Sequence, residues 1–137
     1  MASTTRQKGS FGKPVRSWIR RFIQIKVLGM DIHASARIAY SAWIDRSSPR
    51  SVHIGPDSLV CEEARILTAD RVRGVILDTR IGARCYVGPR AIILPGATVG
   101  DDSVVMPGTL VTGDLPPKSV AAGNPARISS RPAETTN

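Results

Sequence analysis

The 137-residue sequence predicts an all-β chain, a parallel β-helix of about four triangular coils behind an N-terminal amphipathic helix. Three observations carry this expectation. An Ile or Val recurs every six residues. A small residue stands four positions after most of them. Aromatic residues are only 4% of the chain, which suits thin stacked layers better than a bulky globular core.

Taken in order, residues 1–13 form a basic tail with the composition of a disordered segment. Residues 14–30 follow as the amphipathic helix. In "VRSWIRRFIQI" Val15, Trp18, Ile19, Phe22 and Ile25 share one face, with Arg16, Arg20 and Arg21 opposite. Lys26 enters the apolar face, and Gly29 suits a stop. Two readings of this helix stay open: a cap on the open end of the β-helix, or a peripheral contact of residues 15–28 with an anionic membrane.

The body spans 31–128. Its repeat runs through Ile32, Ile38 and Ile44, then Ile54, Val60 and Ile66, then Ile81, Val87, Ile93, Val99, Val105 and Val111. A helix would need spacings of three and four; a period of six is a solenoid period. The predicted coils are 32–49 (leaving through "RSSPRSVH"), 54–71, 81–98 and 99–116. An excursion, "VRGVILDTR" at 72–80, separates the second from the third. Gly55, Gly82, Gly88 and Gly100 follow the aliphatic position and are expected to relax the backbone at the bends. Unpaired strand edges at the ends need covering, and "PPKSVAAGNPARI" is placed over the last coil. Residues 129–137 are expected to be a disordered tail.

The net charge of +8 is uneven. Residues 1–30 hold seven basic residues and no acid, and the rest hold 12 basic and 11 acidic. The body thus lacks the basic stripe with interleaved aromatics of a nucleic-acid binder. Cys61 and Cys85 have no zinc-site spacing and follow no leader-like segment, so they are expected as free thiols in the cytoplasm. No apolar run approaches the roughly 20 residues that span a bilayer.

"IGARCYVGPRAIILPGATVGDDSVVMPGTLVTGDLPPKSVAAGNPARI", residues 81–128, resembles the hexapeptide-repeat acyltransferases, most closely the sugar O-acetyltransferases of the maltose, nodulation, colanic acid and exopolysaccharide type. "PGATVG" and "AGNPARI" are the specific stretches, and the resemblance covers about 32–128. It implies a left-handed β-helix, against the usual right-handed crossover. It also implies a homotrimer with sites between neighbouring prisms and acetyl-CoA as co-substrate with no metal. The acceptor would be a saccharide or glycolipid in polysaccharide biosynthesis. In that chemistry a histidine takes the proton of the acceptor hydroxyl and backbone N–H groups hold the oxyanion. A γ-type carbonic anhydrase shares the fold but needs three zinc-binding histidines; His33 and His53 are too few.

The resemblance also assigns residues. The base belongs to a "T-H-D" motif at the root of the excursion, where this chain reads Thr68-Ala69-Asp70. Alanine cannot accept a proton, and losing a general base costs about 10²- to 10⁴-fold in rate. Three explanations fit: an engineered inactive chain, a natural binding or scaffold protein without catalysis, or a substitute base. His53, in "SVHIG", is the candidate substitute. A coil of 18 would stack it beneath Arg71, roughly 8 Å from position 69; the competing reading is a surface histidine at a corner, as for His33. The CoA side falls on Pro89 and Pro107 through their backbone, then Thr112, Gly113 and Arg127, whose guanidinium suits a phosphate. Gly113 replaces a usual basic residue, with Lys118 or Arg131 as candidate stand-ins. Tyr86 is placed beside the acceptor or, equally, as a corner aromatic packing on a neighbouring subunit.

Overall fold

The computed structural model describes residues 29–132. Nearly all of the predicted helix over 14–30 lies outside them, as do the tail 1–13 and the membrane contact assigned to 15–28. The first coil carries β1 (Asp31–Ile32), β2 (Arg37–Ile38) and β3 (Trp43–Ile44), then a 3-10 turn at Pro49–Ser51. The second carries β4 (Val52–Ile54), β5 (Leu59–Val60), β6 (Arg65–Ile66), and a hairpin of β7 (Ala69–Asp70) and β8 (Val75–Ile76). The third carries β9 (Thr79–Ile81), β10 (Tyr86–Val87) and β11 (Ile92–Ile93). The fourth carries β12 (Thr98–Val99), β13 (Val104–Val105) and β14 (Leu110–Val111), followed by β15 (Ser119–Ala122) and β16 (Arg127–Ser130). Ser129 and Ser130 therefore belong to a strand and not to the predicted tail, the rest of which from residue 133 lies outside the described residues.

These strands stack into three faces. The first face is β1-β4-β9-β12, the second β2-β5-β10-β13-β15, and the third β3-β6-β11-β14, with all neighbours parallel. At the end of the second face β16 turns back and pairs antiparallel with β15. The aliphatic positions lie in register: Ile32 on Ile54, Ile54 on Ile81, and Ile81 on Val99. Successive coils therefore use 22, 27 and 18 residues. Val99 bridges Leu115 rather than a residue 18 further on, so the fourth coil is two residues short and Leu115 opens a partial fifth.

The inward row forms the core. Eleven of the twelve repeat positions are at most 5% exposed, Ile38 alone being half-buried. Burying each such side chain contributes about 1.5–3 kcal/mol. The small inward residues at the corners, Ala36, Ala64, Ala91 and Ala97, are at most 1% exposed. Where they are hydroxylic they stitch coils together. Ser58 Oγ donates to the Gly82 carbonyl and accepts from the Cys85 N–H, and Ser103 Oγ donates to the Pro116 carbonyl. Both cysteines are free and buried. Burial raises the pKa of each thiol, so neither offers a thiolate.

The glycine expectation needs correction. The left-handed corner position is three residues after the aliphatic, at Asp57, Glu63, Arg84, Arg90, Gly96, Asp102, Gly108 and Lys118. The glycines directly after the aliphatic are required by space instead. A Cβ on Gly88 would stand 2.6 Å from the Pro107 nitrogen, and one on Gly55 would stand 2.6 Å from the Gly82 carbonyl carbon. Coils touch backbone to backbone there. The corner side chains also pair from coil to coil: Arg84 binds Asp102 through two N–H groups at 2.7 and 3.1 Å, and Arg90 Nε meets Glu63 at 2.7 Å.

Gly88→Ala is expected to lower stability by about 1–3 kcal/mol, the cost of overpacking a rigid contact. Gly113→Ala, with nothing within 4 Å of its added Cβ, is expected to change it by less than about 0.5 kcal/mol. Urea unfolding of the two variants checks the contrast.

Candidate active site at the third corner

Three corners join the faces, and the third, between the third and first faces, is where the chain departs from the coil. Asp45, Leu67, Leu94 and Thr112 follow the last aliphatic of successive coils and stack through backbone bonds: Asp45 N–H to Ile66, Leu67 N–H to Ile93, and Leu94 N–H to Val111. At the second coil the chain leaves this column as a hairpin, with Ala69 opposite Ile76 and Asp70 opposite Val75. The hairpin starts at Ala69, three residues before the expected 72. Its base is closed by the Leu77 N–H on the Thr68 carbonyl (2.9 Å) and the Thr79 hydroxyl on the Leu67 carbonyl (2.6 Å).

The root is held by a residue that the sequence reading passed over. Asp45 is 4% exposed. One oxygen accepts the Ser47 N–H at 2.8 Å; the other accepts the Thr68 and Ala69 N–H groups at 3.0 and 3.1 Å. Burial alone would raise its pKa. The hydrogen bonds from Ser47, Thr68 and Ala69 outweigh that and hold it at about 2. A carboxylate in a column otherwise filled by Leu67, Leu94 and Thr112 is the signal that could have revealed it.

The expected site residues fall in distinct places. Ala69 is half-buried and presents only a methyl group. The Asp70 carboxylate is engaged within the hairpin: it accepts the Val72 and Arg73 N–H groups at 3.0 and 3.1 Å, and Arg73 Nε lies 3.2 Å from it. His53 does not stack beneath Arg71. It pairs with Arg80, because the hairpin takes up nine residues and hands the register to β9. Its Nδ1 lies 2.9 Å from Asp31 and its Nε2 3.8 Å from Asp78, at the hairpin's exit. Nε2 is enclosed and has no hydrogen-bond partner among the described residues. Asp31 and Asp78 were also missed, since the 22- and 27-residue coils that bring them to His53 break the 18-residue spacing. His33 bonds Ser35 locally at 2.8 Å.

The residues assigned to CoA border the third face. Thr112 and Gly113 end the third-corner column. Pro89 and Pro107 stack at the second corner, where the Gly108 N–H reaches the Pro89 carbonyl at 2.9 Å. Arg127 starts β16, just after Ala126, whose N–H bonds Leu110 at the top of the third face. Lys118 and Arg131 sit at the first corner, on the Asp101 and Asp102 carbonyls, away from Gly113 within the same chain. Tyr86 lies on the second face, where its hydroxyl bonds Cys61, and that bond with burial raises its pKa. Among the described residues no three His, Cys, Asp or Glu side chains gather as a metal ion would need, and no helix is long and apolar enough to cross a membrane.

Asp45 sets a pH dependence. Its pKa is lower folded than unfolded, so its contribution is complete above about pH 4 and is lost as pH falls through about 2. A shift of this size corresponds to roughly 2 kcal/mol. Asp45→Asn is expected to lower stability at pH 7 by about that amount and to flatten the fall in stability between pH 4 and 2. Thermal melts across this range measure both.

The sequence pattern of the bacterial transferase hexapeptide family (six repeats) matches residues 78–113. The galactoside O-acetyltransferase of Escherichia coli K12 is 48% identical over 48 residues, which are 35% of this chain and 24% of that enzyme. The chain spans about a third or less of the length of the curated relatives it matches. A maltose O-acetyltransferase of Clostridium difficile 630 has the same fold, with a TM-score of 0.69 at 23% identity over 91% of this chain and 81% of that one. So does a galactoside acetyltransferase solved in complex with coenzyme A, with a TM-score of 0.62 at 21% identity over 89% and 74% of the two chains. The in-register period of six and the three-sided stack agree with these likenesses: residues 78–113 carry the hexapeptide transferase pattern, on a fold shared with the two acetyltransferases.

Proposed function

We propose that the chain is an acetyl-CoA-dependent O-acetyltransferase that acts on a saccharide hydroxyl in polysaccharide biosynthesis. It belongs on the sugar O-acetyltransferase side of its family and has the left-handed helix of that group. The observation that carries the reading is the hairpin at the third corner, fastened by Asp45 in the column that ends in Thr112 and Gly113. The complex of a related fold with coenzyme A supports the co-substrate. CoA lies along the third face, bordered by Pro89 and Pro107 on one side and by Thr112 and Gly113 on the other, with Arg127 on a phosphate. The working unit is a cytoplasmic homotrimer. An acceptor at the third corner of one subunit then meets Tyr86 from a neighbour, since Tyr86 is on another face of its own chain.

The acceptor oxygen attacks the thioester carbonyl carbon, the tetrahedral intermediate collapses, and the CoA thiolate leaves with the proton the base had taken. Ala69 cannot be that base. The Asp31–His53 pair is the substitute: with Nδ1–H donated to Asp31, the lone pair of Nε2 is left to accept the hydroxyl proton. Nε2 reaches an acceptor once the Asp78 side chain, 56% exposed, turns aside. Ala69 also favours a second reading, a binding or scaffold protein that holds these ligands without transfer.

Ala69→His distinguishes the two. Free CoA thiol released from acetyl-CoA with candidate sugars is expected to rise about 10²- to 10⁴-fold. A variant that binds acetyl-CoA yet transfers to no sugar supports the scaffold. In the unmodified chain, His53→Ala is expected to abolish residual turnover; unchanged turnover would remove His53 from the mechanism.

A further inference from the structure

A groove of about 440 Å³ opens on the third face, lined by Ser41, Trp43, Glu63, Arg65, Arg90 and Ile92. Its size is that of a small-molecule site. Trp43, Arg65 and Ile92 are the outward residues of β3, β6 and β11, stacked in register on consecutive coils. The Trp43 indole is 43% exposed, and the Arg65 guanidinium lies 6.0 Å from its ring centre. Arg65 has no carboxylate partner among the described residues. Arg90 uses Nε on Glu63, which leaves its terminal N–H groups for a ligand. Ser41 Oγ accepts the Glu63 N–H at 3.2 Å, so its own hydrogen is left to donate. The lining thus combines one flat aromatic surface, several outward donors and one surplus positive charge.

We infer that this groove is a subsite for a carboxylate-bearing sugar unit, the next unit along an acidic oligosaccharide acceptor. The inference rests on the saccharide-acceptor reading above and narrows it. A pyranose ring lays its C–H face on an indole and directs its hydroxyls to the rim. A uronate carboxylate matches the planar fork of a guanidinium held in place by the ring beneath it. The surplus charge decides between neutral and acidic sugars, because a neutral glycan would leave Arg65 without an anionic partner. The placement agrees. The groove lies on coils one to three of the face that the CoA-side residues border, so a unit acetylated at the third corner extends its chain over Arg65 towards Trp43.

Calorimetric titration of the full chain with tetragalacturonate and with maltotetraose at low salt tests this. Saturable binding of the acidic tetramer is expected, at least about tenfold tighter than the neutral one. Trp43→Ala and Arg65→Gln are each expected to weaken it at least about tenfold, and Trp43→Phe is expected to keep most of it. No binding of tetragalacturonate, or equal binding by the variants, overturns the inference. So does a change of oligomeric size on Trp43→Ala by light scattering, which would make the groove an interface between copies. Should Trp43→Ala fail to fold, Arg65→Gln on the exposed surface decides. Acetyl-CoA binding measured in parallel separates the claims: if it persists while tetragalacturonate does not bind, only the subsite falls; if acetyl-CoA itself does not bind, the transferase reading falls with it.

Discussion

Each coil of this chain must lie directly on the backbone of the next, and everything else is arranged around that contact. At Gly55, Gly88 and Gly100 the next coil stands where a side chain would begin, 2.5 to 2.6 Å from an ideal Cβ. No insertion can be absorbed within the stack. Extra residues have to leave at a corner and return to the same register, with an Ile or Val again pointing inward. The coil lengths of 22, 27, 18 and 16 residues are four ways of meeting one requirement. Alternating corner charges, as in Arg84 with Asp102 and Glu63 with Arg90, oppose a slip in register, since a slip would leave them unpaired.

The hairpin is the largest of these departures, and its position is what makes a site. A two-stranded ribbon is marginal by itself, and this one has an exposed tip, with Val72 97% accessible. What fixes it is below it. The Asp45 carboxylate, on the preceding coil, takes two successive N–H groups at the point of departure. An ionised acceptor makes stronger bonds than a neutral one, and being nearly enclosed it has no water to exchange them for. His53 touches the same excursion where it returns, between Asp31 and Asp78. Entry of the loop is thus tied to the first coil, and its exit lies against the His53–Asp31 pair.

Most of the architecture was legible because it follows from a period. Twelve Ile or Val positions six apart mark the core, and eleven of them are buried. The excursion was legible as a break in the period, and Ala69 as a change within a motif. What escaped was whatever depended on coil length. His53 cannot be placed by an 18-residue rule when its own coil uses 27, so its partner is Arg80 and not Arg71. Trp43 over Arg65 is a pair 22 apart, joined only by the longer first coil. Asp45 stands directly after a strand with no motif around it; its role follows from being enclosed, which no local pattern records. The corner glycines were recognised for the wrong reason, because close approach of two backbones and freedom of one backbone both select glycine.

The claim that a buried carboxylate on the first coil positions the site is most directly tested by amide hydrogen exchange at single residues. In the unmodified chain the Thr68 and Ala69 amides should exchange slowly, alongside those of the coil. In Asp45→Ala those two should become fast while Leu67 and Leu94, bonded within the stack, stay protected. If Thr68 and Ala69 remain as protected as before, the hairpin is held by something other than Asp45 and the account of the site is wrong.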